Sequence, residues 1–161
     1  MKRAHVAVIA LLAPLICWAD SLSGRVVGVA DGDTVTVLVN GHDQYKIRVS
    51  GIDAPEKKQP FGQKAKAKMS ELVYDKDVVV EWHKKDRYGR TIGVVVVDGQ
   101  DAGLSLLRSG LAWHYKQYQK EQEPEDRERY RAAEEAARSE RVGLWTDAEP
   151  TPPWEWRHSR R

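Results

Sequence analysis

The chain has 161 residues, 41% of them apolar and 31% charged, with 26 Lys and Arg against 24 Asp and Glu for a net charge of +2. That length gives room for one domain with a core of its own, and that balance excludes an intrinsically disordered chain.

The first elements are not those of a folded domain. Met1-Lys2-Arg3 is basic, the run from Val6 to Cys17 is apolar except for Pro14, and Ala19 is a small residue after it. This pattern predicts a signal peptide over residues 1–19, with the mature chain starting at Asp20. A membrane span needs about 20 apolar residues, and this run is shorter. Export to the periplasm or the exterior follows, with no membrane association once the signal is cut. Cleavage removes the only cysteine, Cys17, so the mature chain forms no disulfide. It also removes Lys2 and Arg3, which takes the 26 basic residues to 24, equal to the 24 acidic ones. Net charge is then no evidence for a polyanionic partner, but its distribution is. Lys57, Lys58, Lys64, Lys66 and Lys68 form one basic run, and Lys84, Lys85, Arg87 and Arg90 form another.

From Ser23 to Ala30 a weakly alternating, valine-bearing stretch predicts a strand, and Asp31-Gly32 predicts a turn. Thr34 to Val39 alternates with Val35, Val37 and Val39 on one face, Asn40-Gly41 signals a hairpin, and Tyr45 to Ile52 returns. The loop length fixes the register. A two-residue loop sets Val35 against Lys46; a loop one residue longer sets Val35 against Ile47, Val37 against Tyr45 and Thr34 against Arg48. Only the longer loop gathers the apolar side chains on one face, so it is the expected one. Pro55 takes Asp53-Ala54-Pro55-Glu56 out of the sheet into a loop.

Helices are predicted over Gly62 to Tyr74 (Ala65, Met69, Leu72 and Val73 inward), Ala102 to Arg108, and Pro124 to Arg141 (Tyr130, Ala133 and Ala137 inward). Strands are predicted over Val78 to Trp82 and Thr91 to Val97, joined by the Lys84 to Arg90 loop. Leu111 to Tyr118 reads as irregular. The domain is expected over 20–148, with a Pro-, Trp- and Arg-containing tail over 149–161. Five strands in meander order with about three helices predict an α+β chain, mainly a five-stranded barrel of the oligonucleotide/oligosaccharide-binding (OB) type.

Asp31, Asp33, Asp53 and Glu56 all fall at strand ends around Arg48, and Asp86-Arg87-Tyr88-Gly89-Arg90 forms a second charged cluster. Carboxylates with one or two arginines suit a divalent cation and a phosphodiester. The absence of cysteine-histidine spacing argues against zinc. His42, His83, His114 and His158 are scattered and read as surface residues.

With its Asp31-Gly32-Asp33-Thr34, Arg48, Ile52-Asp53-Ala54-Pro55-Glu56, Asp86-Arg87-Tyr88-Gly89-Arg90 and Gly110-Leu111-Ala112, the chain resembles the staphylococcal nuclease (thermonuclease) family over Gly24 to Trp145. The resemblance implies an OB-fold barrel and calcium-dependent hydrolysis of DNA and RNA to 3′-phosphate ends; the chain is expected to be a monomer. It implies Asp33, Asp53 and the backbone carbonyl of Ala54 as Ca2+ ligands, with Asp31 acting through water. It implies Arg48, Glu56 and Arg90 as catalytic residues, and Arg87, Tyr88 and Tyr118 as substrate contacts. Alanine stands at position 54 where the type member has threonine, which leaves a carbonyl ligand intact. Arg87 in place of a lysine and Lys116 in place of a tyrosine bear on base preference. Two other classes are compatible with such a barrel: a module that binds single strands without cutting them, and a calcium-stabilised interaction module.

Overall fold

Alternating β-branched residues dominate the first half of the chain, and they close on themselves. The computed structural model describes residues 20–160. The predicted signal peptide and Cys17 lie outside the described residues. Strand β1 (Asp20–Asp31) is shared between two partners: Asp20 to Arg25 pairs with β5 (Asp77–Lys85), and Arg25 to Asp31 with β2 (Thr34–Val39). Register shifts between Val26 and Gly28 and between Val29 and Asp31 bend it from one partner to the other. β2 pairs with β3 (Asp43–Val49), and β5 with β6 (Thr91–Val97). A short parallel ladder, Ile47 to Val49 against Thr91 to Gly93, joins β3 to β6 and closes the five-stranded barrel.

The longer hairpin loop is the one found: Val35 faces Ile47, Val37 faces Tyr45 and Thr34 faces Arg48. Val26, Val35, Val37, Ile47, Val49, Val80 and Val95 fill the interior, each nearly inaccessible to solvent. Helix α1 (Gly62–Val73) packs Ala65, Met69 and Val73 against it, and α2 (Ala102–Arg108) adds Leu104, Leu106 and Leu107. Burying a side chain such as Met69 contributes about 1.5–3 kcal/mol. Asp101 caps α2 by accepting the Leu104 N–H at 3.0 Å, and its other oxygen accepts the Tyr130 hydroxyl at 2.6 Å, which ties α3 (Pro124–Ser139) to the barrel.

Beyond the barrel, β4 (Ile52–Asp53) pairs with β8 (Trp113–His114), and β7 (Gln100–Asp101) leads into α2. Two 3-10 turns, Lys116–Glu121 and Gly143–Thr146, flank α3. Besides strand β8 and the 3-10 turn from Lys116, which fall in the Leu111 to Tyr118 stretch expected as irregular, the structure departs from expectation at two places. The segment expected as a tail forms a fourth helix, α4 (Pro153–His158), whose Pro153 is buried. Its Trp154 joins a second apolar cluster with Trp113, Ala137, Leu144 and Trp145. His114, expected at the surface, is 0% exposed, because the β4–β8 pairing draws it under α3. None of the described helices is long and apolar enough to cross a membrane.

Candidate active site

The hairpin register delivers the first two groups. Thr34 opposite Arg48 brings Asp33, at the start of β2, alongside the Arg48 side chain. The chain then leaves β3, turns at Gly51 and enters β4, which sets Asp53 on the other side of the same arginine. Arg48 Nη2 lies 3.2 Å from Asp33 Oδ2 and 3.0 Å from Asp53 Oδ1. Its Nη1 donates to the carbonyl oxygens of Val49 and Ile52, both at 2.9 Å. Two carboxylates from different strand ends therefore converge on one positive nitrogen, and both are buried, Asp33 at 6% exposure and Asp53 at 1%.

The backbone holds this convergence in place. The Ala54 N–H donates to Asp33 Oδ2 at 2.7 Å, and the Thr34 hydroxyl donates to Asp33 Oδ1 at 3.2 Å. The Asp33 N–H in turn donates to Asp31 Oδ1 at 3.1 Å, which places the third aspartate behind the second. Gly32 has no room for a side chain: a Cβ there would sit 2.7 Å from the Ala54 Cβ and 2.8 Å from the Ala65 Cβ. Gly62 is similarly confined, since a Cβ would meet the Glu56 carbonyl oxygen. Helix α1 thus starts directly against the loop that carries Glu56.

The electrostatics of this end of the barrel call for positive charge. Burial, and then the Asp33 carboxylate, push Asp31 up to about 6. Burial likewise raises Asp53, against the opposing hydrogen bond from Arg157. Such a donor set fits a hard divalent cation: convergent carboxylates, an adjacent backbone segment at Ala54, and negative charge in excess of its local partners. Among the described residues no point is surrounded by three or more carboxylate, imidazole or thiol groups. A cation of six to eight ligands held by Asp33 and Asp53 would complete its shell with carbonyl and other oxygens.

Arg157 is the residue that sequence reasoning missed. Its Nη1 and Nη2 donate to Asp53 Oδ1 and Oδ2 at 3.1 and 2.8 Å, and Nη1 also donates to Glu56 Oε1 at 2.9 Å. The hydrogen bonding to Asp53 raises its already high pKa. A signal was present in the sequence: Trp154-Glu155-Trp156-Arg157 puts two tryptophans beside the arginine, and a segment so aromatic packs somewhere.

Arg90, Arg87 and Tyr88 form a separate unit. Asp86 accepts the N–H groups of Tyr88 and Arg90 at 2.9 and 3.0 Å and the Arg90 Nε at 2.7 Å, so it organises its own turn. Burial opposes ionisation of Asp86, but the Arg90 and Tyr88 bonds prevail and hold it below the usual carboxylate range. The Arg87 and Arg90 guanidiniums lie 4.9 and 5.7 Å from the Tyr88 ring centre, and Tyr88 is 69% exposed. Among the described residues no hydrogen bond or ion pair joins Arg90 to Asp33, Asp53 or Glu56. Tyr118 stands apart as well. It is exposed, with the Lys84 Nζ 5.8 Å over its ring and Tyr115 edge-on at 4.9 Å.

A cleft of about 380 Å³ between Trp113, Arg138, Arg141 and Trp145 contains none of these side chains. The family model described as staphylococcal nuclease homologue matches residues 46–147. The chain belongs to this family. The family is one of metal-dependent nucleases, hydrolases that act on nucleic acid. Among relatives, an uncharacterized endonuclease of Haemophilus influenzae is 41% identical over 145 residues, covering 90% of this chain and 78% of that protein. A micrococcal nuclease of Shigella flexneri is 38% identical over 168 residues, covering 99% and 93%. The staphylococcal-like nuclease CAN1 of Arabidopsis thaliana is 40% identical over 118 residues, covering 73% of this chain and 35% of the plant protein. Arg48, Asp53, Glu56, Arg87, Tyr88, Arg90 and Tyr118 fall inside the family match; Asp31 and Asp33 precede it.

Proposed function

We propose that this chain is an exported, monomeric, calcium-dependent endonuclease that hydrolyses DNA and RNA to 3′-phosphate ends. The observation that carries the proposal is the convergence of Asp33 Oδ2 and Asp53 Oδ1 on a single cationic nitrogen, with Glu56 tied to the same cluster. Asp33, Asp53 and the Ala54 carbonyl would hold Ca2+, with Asp31 acting through water. Bound there, the cation supplies Lewis-acid polarisation of a phosphoryl oxygen.

The protein groups do the rest. Glu56 accepts a proton from the attacking water or orients it. Its carboxylate is more than a third exposed, so water reaches it. Charge then builds on the equatorial oxygens of the phosphate, where Arg48 and Arg90 present planar forks of donors. Arg90 reaches the substrate by exchanging Asp86 for the phosphate. Arg87 and Tyr88 grip a neighbouring phosphate, and Tyr118 offers an exposed ring to a base.

Incubating residues 20–161 with plasmid, single-stranded DNA and RNA, in calcium, magnesium or chelator, tests the reading. Turnover of all three in calcium is expected, with 3′-phosphate ends by end-labelling. Magnesium demands stricter octahedral geometry and should support little. Tight binding of all three polymers without turnover would make the chain a binding module. Export is tested by N-terminal sequencing of the protein from its native host, with Asp20 expected first.

A further inference from the structure

Helix α4 does not merely cover the barrel; several contacts aim it. Trp154 lies 5.5 Å from Trp113, edge to face, and stacks on Tyr115 at 5.9 Å with the rings 7° from parallel. Gln59 donates its Nε2 to the Thr151 carbonyl at 2.7 Å while its Oε1 accepts the Glu56 N–H at 3.0 Å, so one side chain links the approach to α4 with the Glu56 loop. These contacts present Arg157 to the carboxylate cluster with its guanidinium already in place. Both oxygens of Asp53 receive its N–H groups, and Glu56 receives a third bond. Asp53 is 1% exposed, so water does little to solvate it, and the guanidiniums of Arg48 and Arg157 are the cations in contact with it.

A divalent cation bound by Asp53 needs a lone pair on that same carboxylate. It also brings positive charge beside a guanidinium that cannot be deprotonated. Asp53 Oδ1 already accepts from Arg48 and Arg157, and Oδ2 from Arg157, so a cation entering there meets the Arg157 guanidinium at either oxygen. The aromatic contacts of α4 do not involve Arg157, and the arginine stem is long and about a third exposed, so its head can withdraw while the helix stays docked. We propose that Arg157 is a positioning residue of the active site: it holds Asp53 and Glu56 in place and competes with the divalent cation for Asp53, so it sets how tightly the site takes that cation. The inference rests on the proposed function, in which Asp53 is a cation ligand.

Calorimetric titration of calcium into the mature chain tests it, on the parent, Arg157→Gln, Arg157→Lys, Trp154→Ala and Asp53→Asn. Losing one competing charge-assisted contact should tighten calcium binding roughly tenfold in Arg157→Gln. Arg157→Lys keeps the charge without the fork and should fall between. Trp154→Ala retains Arg157 but loosens its anchor, and should tighten binding by less. Thermal melts supply a second readout: Arg157→Gln should lose stability against the parent in chelator, with the gap narrowing in saturating calcium. Unchanged or weaker calcium affinity in Arg157→Gln would overturn the proposal. Asp53→Asn separates the two levels. If it binds calcium as the parent does, the ligand assignment itself fails. If it loses calcium while Arg157→Gln leaves affinity unaltered, only the competition fails.

Discussion

The loop and strand ends between Asp31 and Glu56 and the helix at the C-terminus meet at one carboxylate, and they arrive there by different physics. The first region is organised by register. Once the hairpin closes with Thr34 opposite Arg48, the arginine and Asp33 are neighbours by backbone geometry alone, and Asp53 follows a few residues later. The second is organised by packing. Arg157 reaches Asp53 across 104 residues of chain because Trp154 is seated against Trp113 and Tyr115. The difference teaches that a charge cluster can be local in most of its members and still take one from a remote segment.

Removing a residue from each region should sharpen that contrast. Asp53→Asn should have the largest effect. Removing even an outer partner of a metal ligand costs 10–100-fold in affinity, so loss of a ligand should cost more than about a hundredfold. Calcium-dependent turnover should fall to background in an activation titration. Glu56→Gln comes next, with kcat lower by about 10²–10⁴-fold, the usual worth of a positioned base, and calcium affinity retained. Arg90→Lys should lose about 10²–10³-fold in kcat with KM little changed, as for a donor that acts on the transition state.

Legibility followed the same division. The barrel was readable because valines alternate with period two, and because only one loop length puts Val35, Val37, Tyr45 and Ile47 on a single face. The pairing of Asp33 with Arg48 followed from that register, while Asp53 was read as a strand-end carboxylate and from the family resemblance. Helix α2 was found over the residues expected for it, Ala102 to Arg108, with Gly110 at positive φ just beyond its end. Arg157 was not readable, because no local period says where a short aromatic segment will dock. His114 was not readable for a related reason. Its polarity argued for the surface, but Glu134, itself buried, accepts its N–H at 3.0 Å, and Gln122 meets its ring Nε2 at 2.8 Å. Long-range partners made both positions tolerable, and such partners leave no trace in spacing.

Smaller effects test the packing side. Trp154→Ala should destabilise the fold by about 1–3 kcal/mol, less than truncation of a fully buried tryptophan because Trp154 is only partly buried. A denaturant midpoint shift would measure it, with kcat close to the parent's at saturating calcium. The smallest effect belongs to His114. Burial, partly offset by the bond to Gln122, lowers its pKa below the ordinary 6.5. The unfolded chain then binds the proton more readily than the folded one. This contribution to stability is therefore intact above about pH 6.5 and is lost as pH falls through the lowered folded value. His114→Gln should flatten that part of the acid limb in melts between about pH 7.5 and 5 relative to the parent.

The central claim is that the Asp31–Glu56 end of the barrel is catalytic machinery and not a set of stabilising ion pairs. Arg48→Lys tests it most directly, because lysine keeps the charge between Asp33 and Asp53 and loses only the planar fork. Steady-state kinetics in saturating calcium, beside a thermal melt of the same preparation, should show kcat reduced by at least about 10²–10³-fold with a cooperative, folded-protein transition. A well-folded Arg48→Lys protein with near-parental kcat would contradict the account and return the cluster to a structural role.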